Sequence, residues 1–202
     1  MKTFVLLLCC LIQSFIFGQE STAGKNVSTF SIASPELKTT KKIWVYLPKG
    51  YETSAQKYPV IYMHDAQNLF DSQTSYVGEW NVDETLDSLN AKVIVIGIEH
   101  GGEKRIDELT PFKNEKYGGG NANAYLEFIV KTLKPQIDKT YRTKIKNRSV
   151  NCQLIHAAKI TQLIARKGSA MTFPKSVFNP EPTDSMSLVK RAISSLVPCS
   201  PN

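Results

Sequence analysis

Two short polar runs hold the side chains best suited to chemistry. They are His64-Asp-Ala-Gln-Asn-Leu-Phe and Glu99-His-Gly-Gly-Glu-Lys-Arg, and each follows directly on an apolar stretch. Imidazole beside carboxylate serves general acid–base work or metal binding, and a guanidinium holds an anion or an ion-pair partner. Zinc takes three or four such ligands at recognisable spacing, and neither H-x-H nor H-E-x-x-H occurs here. No metal and no cofactor is therefore expected at His64, His100 or their acidic neighbours. Gly118-Gly-Gly120 lacks the Lys-Ser/Thr that completes a phosphate cradle, and it reads as a flexible turn. His156 can be drawn as a general base, but no nucleophile stands with it.

The elements that must position these runs follow from hydrophobic period. Tyr58 to His64 and Val93 to Ile98 are continuous apolar runs, as in strands covered on both faces by helices. Ser28 to Ala33 alternates polar and apolar, and Ile43 to Leu47 is a β-rich run stopped by Pro48, so two more strands precede them. Val82, Leu86 and Leu89 fall at helical spacing within Trp80–Asn90, with Asp83 and Glu84 suiting the helix start. Tyr125, Phe128, Ile129 and Leu133 mark a second helix from about Ala122 to Leu133, limited by Pro135. Between them, Glu99 to Asn121 reads as a polar loop longer than a structureless connection usually is, which favours function. The order of strands and helices predicts an α/β fold, with antiparallel strands first and parallel ones after. In such sheets ligands bind at the C-terminal ends of parallel strands. Both polar runs leave such ends, and they line one crevice if the two strands are neighbours.

Composition bounds the partners. The chain has 202 residues, 42% of them hydrophobic, which excludes disorder throughout and fits one domain. The net charge of +7 is unevenly spread: residues 19–150 carry 18 basic and 16 acidic side chains, residues 151–202 carry 6 and 2. A polyanion-binding role would thus belong to the tail, and no nucleic-acid partner is expected for the body. Residues 1–18 combine Lys2, a run from Phe4 to Phe17 that is apolar apart from Gln13 and Ser14, and Gly18, the pattern of a secretory signal peptide. A secreted or periplasmic location is expected, with no membrane partner after cleavage. Cys152 and Cys199 then remain, enough for one disulfide and for no metal site.

Four ordered blocks carry a resemblance. YPVIYMHDAQNLFD, GEWNVDETLDSL, VIGIEHGGEKRIDELTPF and YGGGNANAYLEFIVKTLKPQIDKTYRTK resemble the putative esterase family of α/β hydrolases across about residues 41–149. That family contains siderophore (enterochelin-type) esterases, esterase-D-like enzymes and carbohydrate-linked feruloyl and acetyl esterases. The resemblance implies an α/β-hydrolase-type sheet and a Ser-His-Asp hydrolase acting on a small-molecule, carbohydrate or siderophore ester. It implies that backbone N–H groups of Ala66 and Gln67 help to build an oxyanion hole. The alternative at this position is an ordinary strand-to-helix loop with Asp65 as a cap. Asp65, Trp80, His100, Arg105 and Glu108 are the substrate-pocket candidates. Trp80 reads equally as a core aromatic, and Arg105 as a structural partner of Asp107 or Glu108.

The family's nucleophile sits in a G-x-S-x-G elbow, expected a few residues after the last block. No serine of the 202 residues stands two positions before a glycine. Glycine also becomes rare: Gly168 alone falls in residues 151–202, against ten glycines before them. Residues 19–150 are accordingly expected to be the N-terminal part of the hydrolase domain, with the sheet incomplete. Residues 151–202 are expected to be a divergent tail, helical or disordered, produced by a frame change or a replaced C-terminus. The chain is expected to be inactive as an esterase. A non-catalytic binding protein that uses the strand-end crevice is the alternative.

Overall fold

A computed structural model of the chain describes residues 20–76 and 78–144. The signal segment, the Cys152/Cys199 pair, His156 and the tail lie outside the described residues. Four strands form one mixed sheet: β1 (Val27–Ser34), β2 (Thr39–Tyr46), β3 (Val60–His64) and β4 (Ile94–Ile98), in the order β1-β2-β4-β3. β1 and β2 are an antiparallel hairpin, β2 runs antiparallel to β4, and β3 runs parallel to β4. His64 is level with Ile98 in the last pair, so the two polar runs leave the sheet side by side at the same end.

Strand alternation explains how both faces are filled. Trp44, Tyr46, Ile61, Met63, Val93 and Val95 pack on one face with Leu69, Phe70, Trp80, Val82 and Leu86. Ile43, Val45, Tyr62, Ile94, Ile96 and Ile98 pack on the other with Tyr125, Phe128, Ile129, Leu133 and Ile137. The first face is covered by helix α1 (Val82–Ser88), which carries Asp83 and Glu84 in its first turn. β3 and β4 are buried along nearly their whole length, as their unbroken apolar sequence predicts.

Two expectations are corrected. The second helix does not stop before Pro135. Ala122–Glu127 (α3), a π-helical stretch Phe128–Leu133 and Lys134–Thr140 (α4) follow one another without a break, with Pro135 in the first turn of α4. Proline lacks an N–H, and its ring clashes with the carbonyl four residues back. The wider π-helical stretch ahead of it changes the hydrogen-bond register there, so the chain passes the ring and continues. The polar connection from Glu99 to Asn121 is likewise not structureless: it contains a 3-10 turn, Gly102–Lys104, and helix α2 (Arg105–Leu109).

On the outer side of β3, Tyr58 forms a parallel bridge with Thr143. Its N–H donates to Arg142 O at 2.8 Å, and its carbonyl accepts from Lys144 N–H at 2.8 Å. Among the described residues, nothing else pairs with that edge of β3.

Candidate functional site

The crevice begins where β3 ends. Asp65 adopts the left-handed conformation, φ 54° and ψ 44°, and the chain turns directly into the 3-10 turn Ala66–Asn68. Aspartate tolerates this region better than most residues, because its short polar side chain bonds locally. Its carboxylate makes no capping bond to the turn. Instead both oxygens are taken by Arg105, from Nε at 2.8 Å and Nη2 at 2.9 Å. Asp65 is 2% exposed and Arg105 32%. The bond to Asp65 holds the Arg105 pKa above its ordinary value. Neither the cap proposed for Asp65 nor the Arg105 pairing with Asp107 or Glu108 is what the structure holds. Residues two apart on a helix do not face each other, which removes Asp107. Its Oδ1 accepts the N–H of Gly119.

Glu108 faces the sheet and meets Lys41 Nζ at 2.7 Å, with both side chains almost wholly buried. Lys41 lies on β2 ahead of the start expected at Ile43, since the strand begins at Thr39. Its signal was positional. Alternation puts residue 41 on the face of Ile43 and Val45, which α3 and its continuation cover. Tyr125 joins this buried group. Its hydroxyl lies 2.5 Å from His64 Nδ1, and the Lys41 ammonium sits 5.7 Å from its ring centre. His64 is thus directed into the body of the molecule.

The second loop places the remaining candidates. Glu99 accepts from Trp44 Nε1 at 2.8 Å and pairs with Lys42 at 3.1 Å. His100 is half-buried, and its Nδ1 accepts the N–H of Gly102 at 2.8 Å. Trp80 is 7% exposed and packs among Leu69, Phe70, Val82 and Leu86, and its backbone N–H donates to Asn68 O at 2.8 Å. Asp65, Arg105, Ala66 and Gln67 come together at the end of β3, while Glu108 and Trp80 lie in the packed layers on either side.

Gly97 of β4 sets how closely the Ala66 turn can approach the sheet. A Cβ there would lie 2.8 Å from Ala66 Cβ, 3.2 Å from Leu69 Cδ1 and 3.3 Å from Phe70 Cε2. A strand glycine at a point of close approach has this purpose. Gly97→Ala is expected to destabilise the fold by about 1–3 kcal/mol through overpacking. An unchanged denaturant midpoint would show that the turn gives way freely.

Chemically, the arrangement offers backbone N–H groups at the opening of a helical turn, where the first donors lack intrahelical acceptors. It also offers a fixed guanidinium and a half-buried imidazole.

The chain is similar to several known proteins. A Bacillus subtilis protein, YbbA, itself uncharacterized, is 28% identical over 107 residues, which are 50% of this chain and 40% of that protein. The crystal structure of an IroE-like serine hydrolase from Shewanella oneidensis is 25% identical and covers 58% of this chain and 39% of its own, with a TM-score of 0.45. The enterobactin esterase FES from Shigella flexneri, solved in the presence of enterobactin, is 13% identical and covers 63% and 30%, with a TM-score of 0.46. The chain thus spans about two fifths or less of the length of these proteins. The family model described as Putative esterase matches residues 34–152, more than half of the chain and all of the crevice, and the chain belongs to that family.

Proposed function

We propose that this chain carries the oxyanion side of a serine hydrolase for small-molecule carboxylic esters, of siderophore or carbohydrate-linked type. We also propose that these 202 residues do not turn over such esters unaided. The observation that carries the first part is the left-handed turn at Asp65, which ends β3 and starts a new helical turn at Ala66 and Gln67. Attack on an ester carbonyl builds negative charge on its oxygen. Two backbone donors fixed by a rigid strand end stabilise that charge without reorganising, and one such donor is worth about 3–4 kcal/mol in a complete enzyme. The Asp65–Arg105 pair fixes the turn from below, so Arg105 acts through Asp65 as a positioning residue.

The second part rests on the sequence: no serine stands two residues before a glycine, so no nucleophile elbow can form. Purified full chain is expected to hydrolyse p-nitrophenyl acetate no faster than buffer. It is also expected to take no label from a fluorophosphonate. Turnover that a serine-directed inhibitor abolishes would overturn this part.

The absent elbow favours a second reading, a secreted binding protein that keeps the crevice. It requires saturable binding of an ester ligand without turnover, lost on substitution of Arg105. For the tail, the test of a frame change near codon 150 is the nucleotide sequence: a G-x-S-x-G within a few codons in another reading frame would support it. It is refuted if neither other frame holds one.

A further inference from the structure

At the start of α1, three carboxylates meet. One oxygen each from Glu79, Asp83 and Glu84 lies within 4.8 Å of the others. Acidic residues in the first turn of a helix are ordinarily explained by the helix dipole, and Asp83 and Glu84 occupy that turn of α1. That explanation does not cover Asp83. Its side chain is 1% exposed. Oδ2 accepts the N–H of Gly24 at 2.7 Å, but Oδ1 is buried and has no donor among the described residues. Glu79 repeats the pattern. Its Oε2 accepts from Thr22 Oγ1 at 2.6 Å, while Oε1 is buried with no donor among the described residues. None of the ion pairs among the described residues involves any of the three carboxylates.

Buried carboxylate oxygens are costly unless a donor or a cation meets them. Two such oxygens, from two residues and beside a third carboxylate, form the donor set of a hard cation.

We propose that Glu79, Asp83 and Glu84 bind a divalent cation of the calcium class. The donors are all oxygen, which excludes the thiolate- and imidazole-seeking metals. Among the hard cations, Ca²⁺ accepts oxygens at about 2.3–2.6 Å in a flexible shell, whereas Mg²⁺ demands a near-ideal octahedron at about 2.0–2.1 Å and keeps most of its waters. Water completes a calcium shell of 6–8 oxygens without strain, because that geometry is flexible. The site has a structural consequence. Ser21 donates to Asp71 at 2.6 Å, Thr22 to Glu79 and Gly24 to Asp83, so the segment that leads into β1 is tied to the same acidic wall. A cation there fixes the start of β1 against α1, independently of any ester chemistry.

The test uses the full chain freed of metal with chelator. Trp80 adjoins Glu79 in sequence and makes a sensitiser for bound terbium. Saturable terbium luminescence is expected, displaced by calcium, together with a rise of a few degrees in melting temperature on adding CaCl2. NaCl at equal ionic strength is expected to produce no such rise. Glu84 is exposed, so Glu84→Gln leaves the packing intact, and it is expected to weaken terbium and calcium binding at least tenfold; Glu79→Gln is expected to match it. Unsaturable luminescence, a melting temperature indifferent to calcium, or unchanged affinity in the Glu79→Gln/Glu84→Gln double variant would overturn the site. An equal response to MgCl2 would overturn its assignment to calcium. Stabilisation on lowering the pH to 5.5 with no response to calcium would assign the cluster to a shared proton instead.

Discussion

Glu108→Ala is expected to cost the fold about 3–5 kcal/mol, a large part of the stability of an ordinary domain. The Lys41 and Glu108 side chains are 3% and 4% exposed, and Nζ lies 2.7 Å from Oε2. Removing the carboxylate strands an ammonium among Tyr125, the β2 backbone and the helix that covers it. The Tyr125 ring, 5.7 Å away, returns only a fraction of the lost interaction. The pair itself is a different matter. Desolvating two charges offsets most of their attraction, so an apolar pair of similar volume is often neutral or better. Lys41→Met/Glu108→Leu is therefore expected to recover most of the loss, and a denaturant-based double-mutant cycle would give a coupling of several kcal/mol. A single-variant loss below about 1 kcal/mol would mean that water reaches the pair. The pair also positions the site: it pins α2 to the start of β2, and α2 opens with Arg105. Gly101 follows from the same contact, since a Cβ there would run into the Glu108 carboxylate.

The layers of the fold were legible because burial writes itself into period. The unbroken run Val-Ile-Val-Ile-Gly-Ile announced a strand covered on both faces, and the spacing of Tyr125, Phe128, Ile129 and Leu133 announced the helix that covers one of them. The helix end was misread, because Pro135 is a local rule and the π-helical stretch that evades it has no composition of its own. In the site, the two strand-end runs were visible as polar residues after apolar strands. Their partners were not. Asp65 and Arg105 are 40 residues apart, and Lys41 and Glu108 are 67 apart. Arg105 has acids at positions 107 and 108, so local spacing pointed to the wrong carboxylates. Long-range pairs are decided by strand order, and the order β1-β2-β4-β3 is what carries β2 and the loop after β4 together. The carboxylate cluster was hidden for a related reason: Asp83 and Glu84 already had a sufficient explanation as helix-start residues.

Arg105→Ala is expected to cost about 2–3 kcal/mol, and Asp65→Asn about 1–2 kcal/mol. The asymmetry follows from exposure. Without arginine, a carboxylate that is 2% exposed loses the two bonds that Arg105 makes to it. Without the carboxylate, a guanidinium that is 32% exposed can turn to water, and asparagine still tolerates the left-handed φ of 54° at that position. Arg105→Lys is expected to fall between Ala and wild type, because an ammonium keeps the charge but loses the planar fork that meets both oxygens. The order of the three variants in guanidinium denaturation is the measurement. If Arg105 instead served only to hold a ligand's anionic group, Arg105→Ala would leave the denaturation midpoint unchanged and weaken ligand binding alone. The expected loss of stability is also a functional statement. Asp65 is the residue at which β3 becomes the Ala66–Gln67 turn, so whatever releases its carboxylate releases the two backbone donors that follow it. A spectroscopic probe of that turn, such as protection of the Ala66 and Gln67 amides from hydrogen exchange, is expected to fall in Arg105→Ala before global unfolding begins. Equal protection in variant and wild type would separate the ion pair from the turn and remove Arg105 from the positioning role given to it.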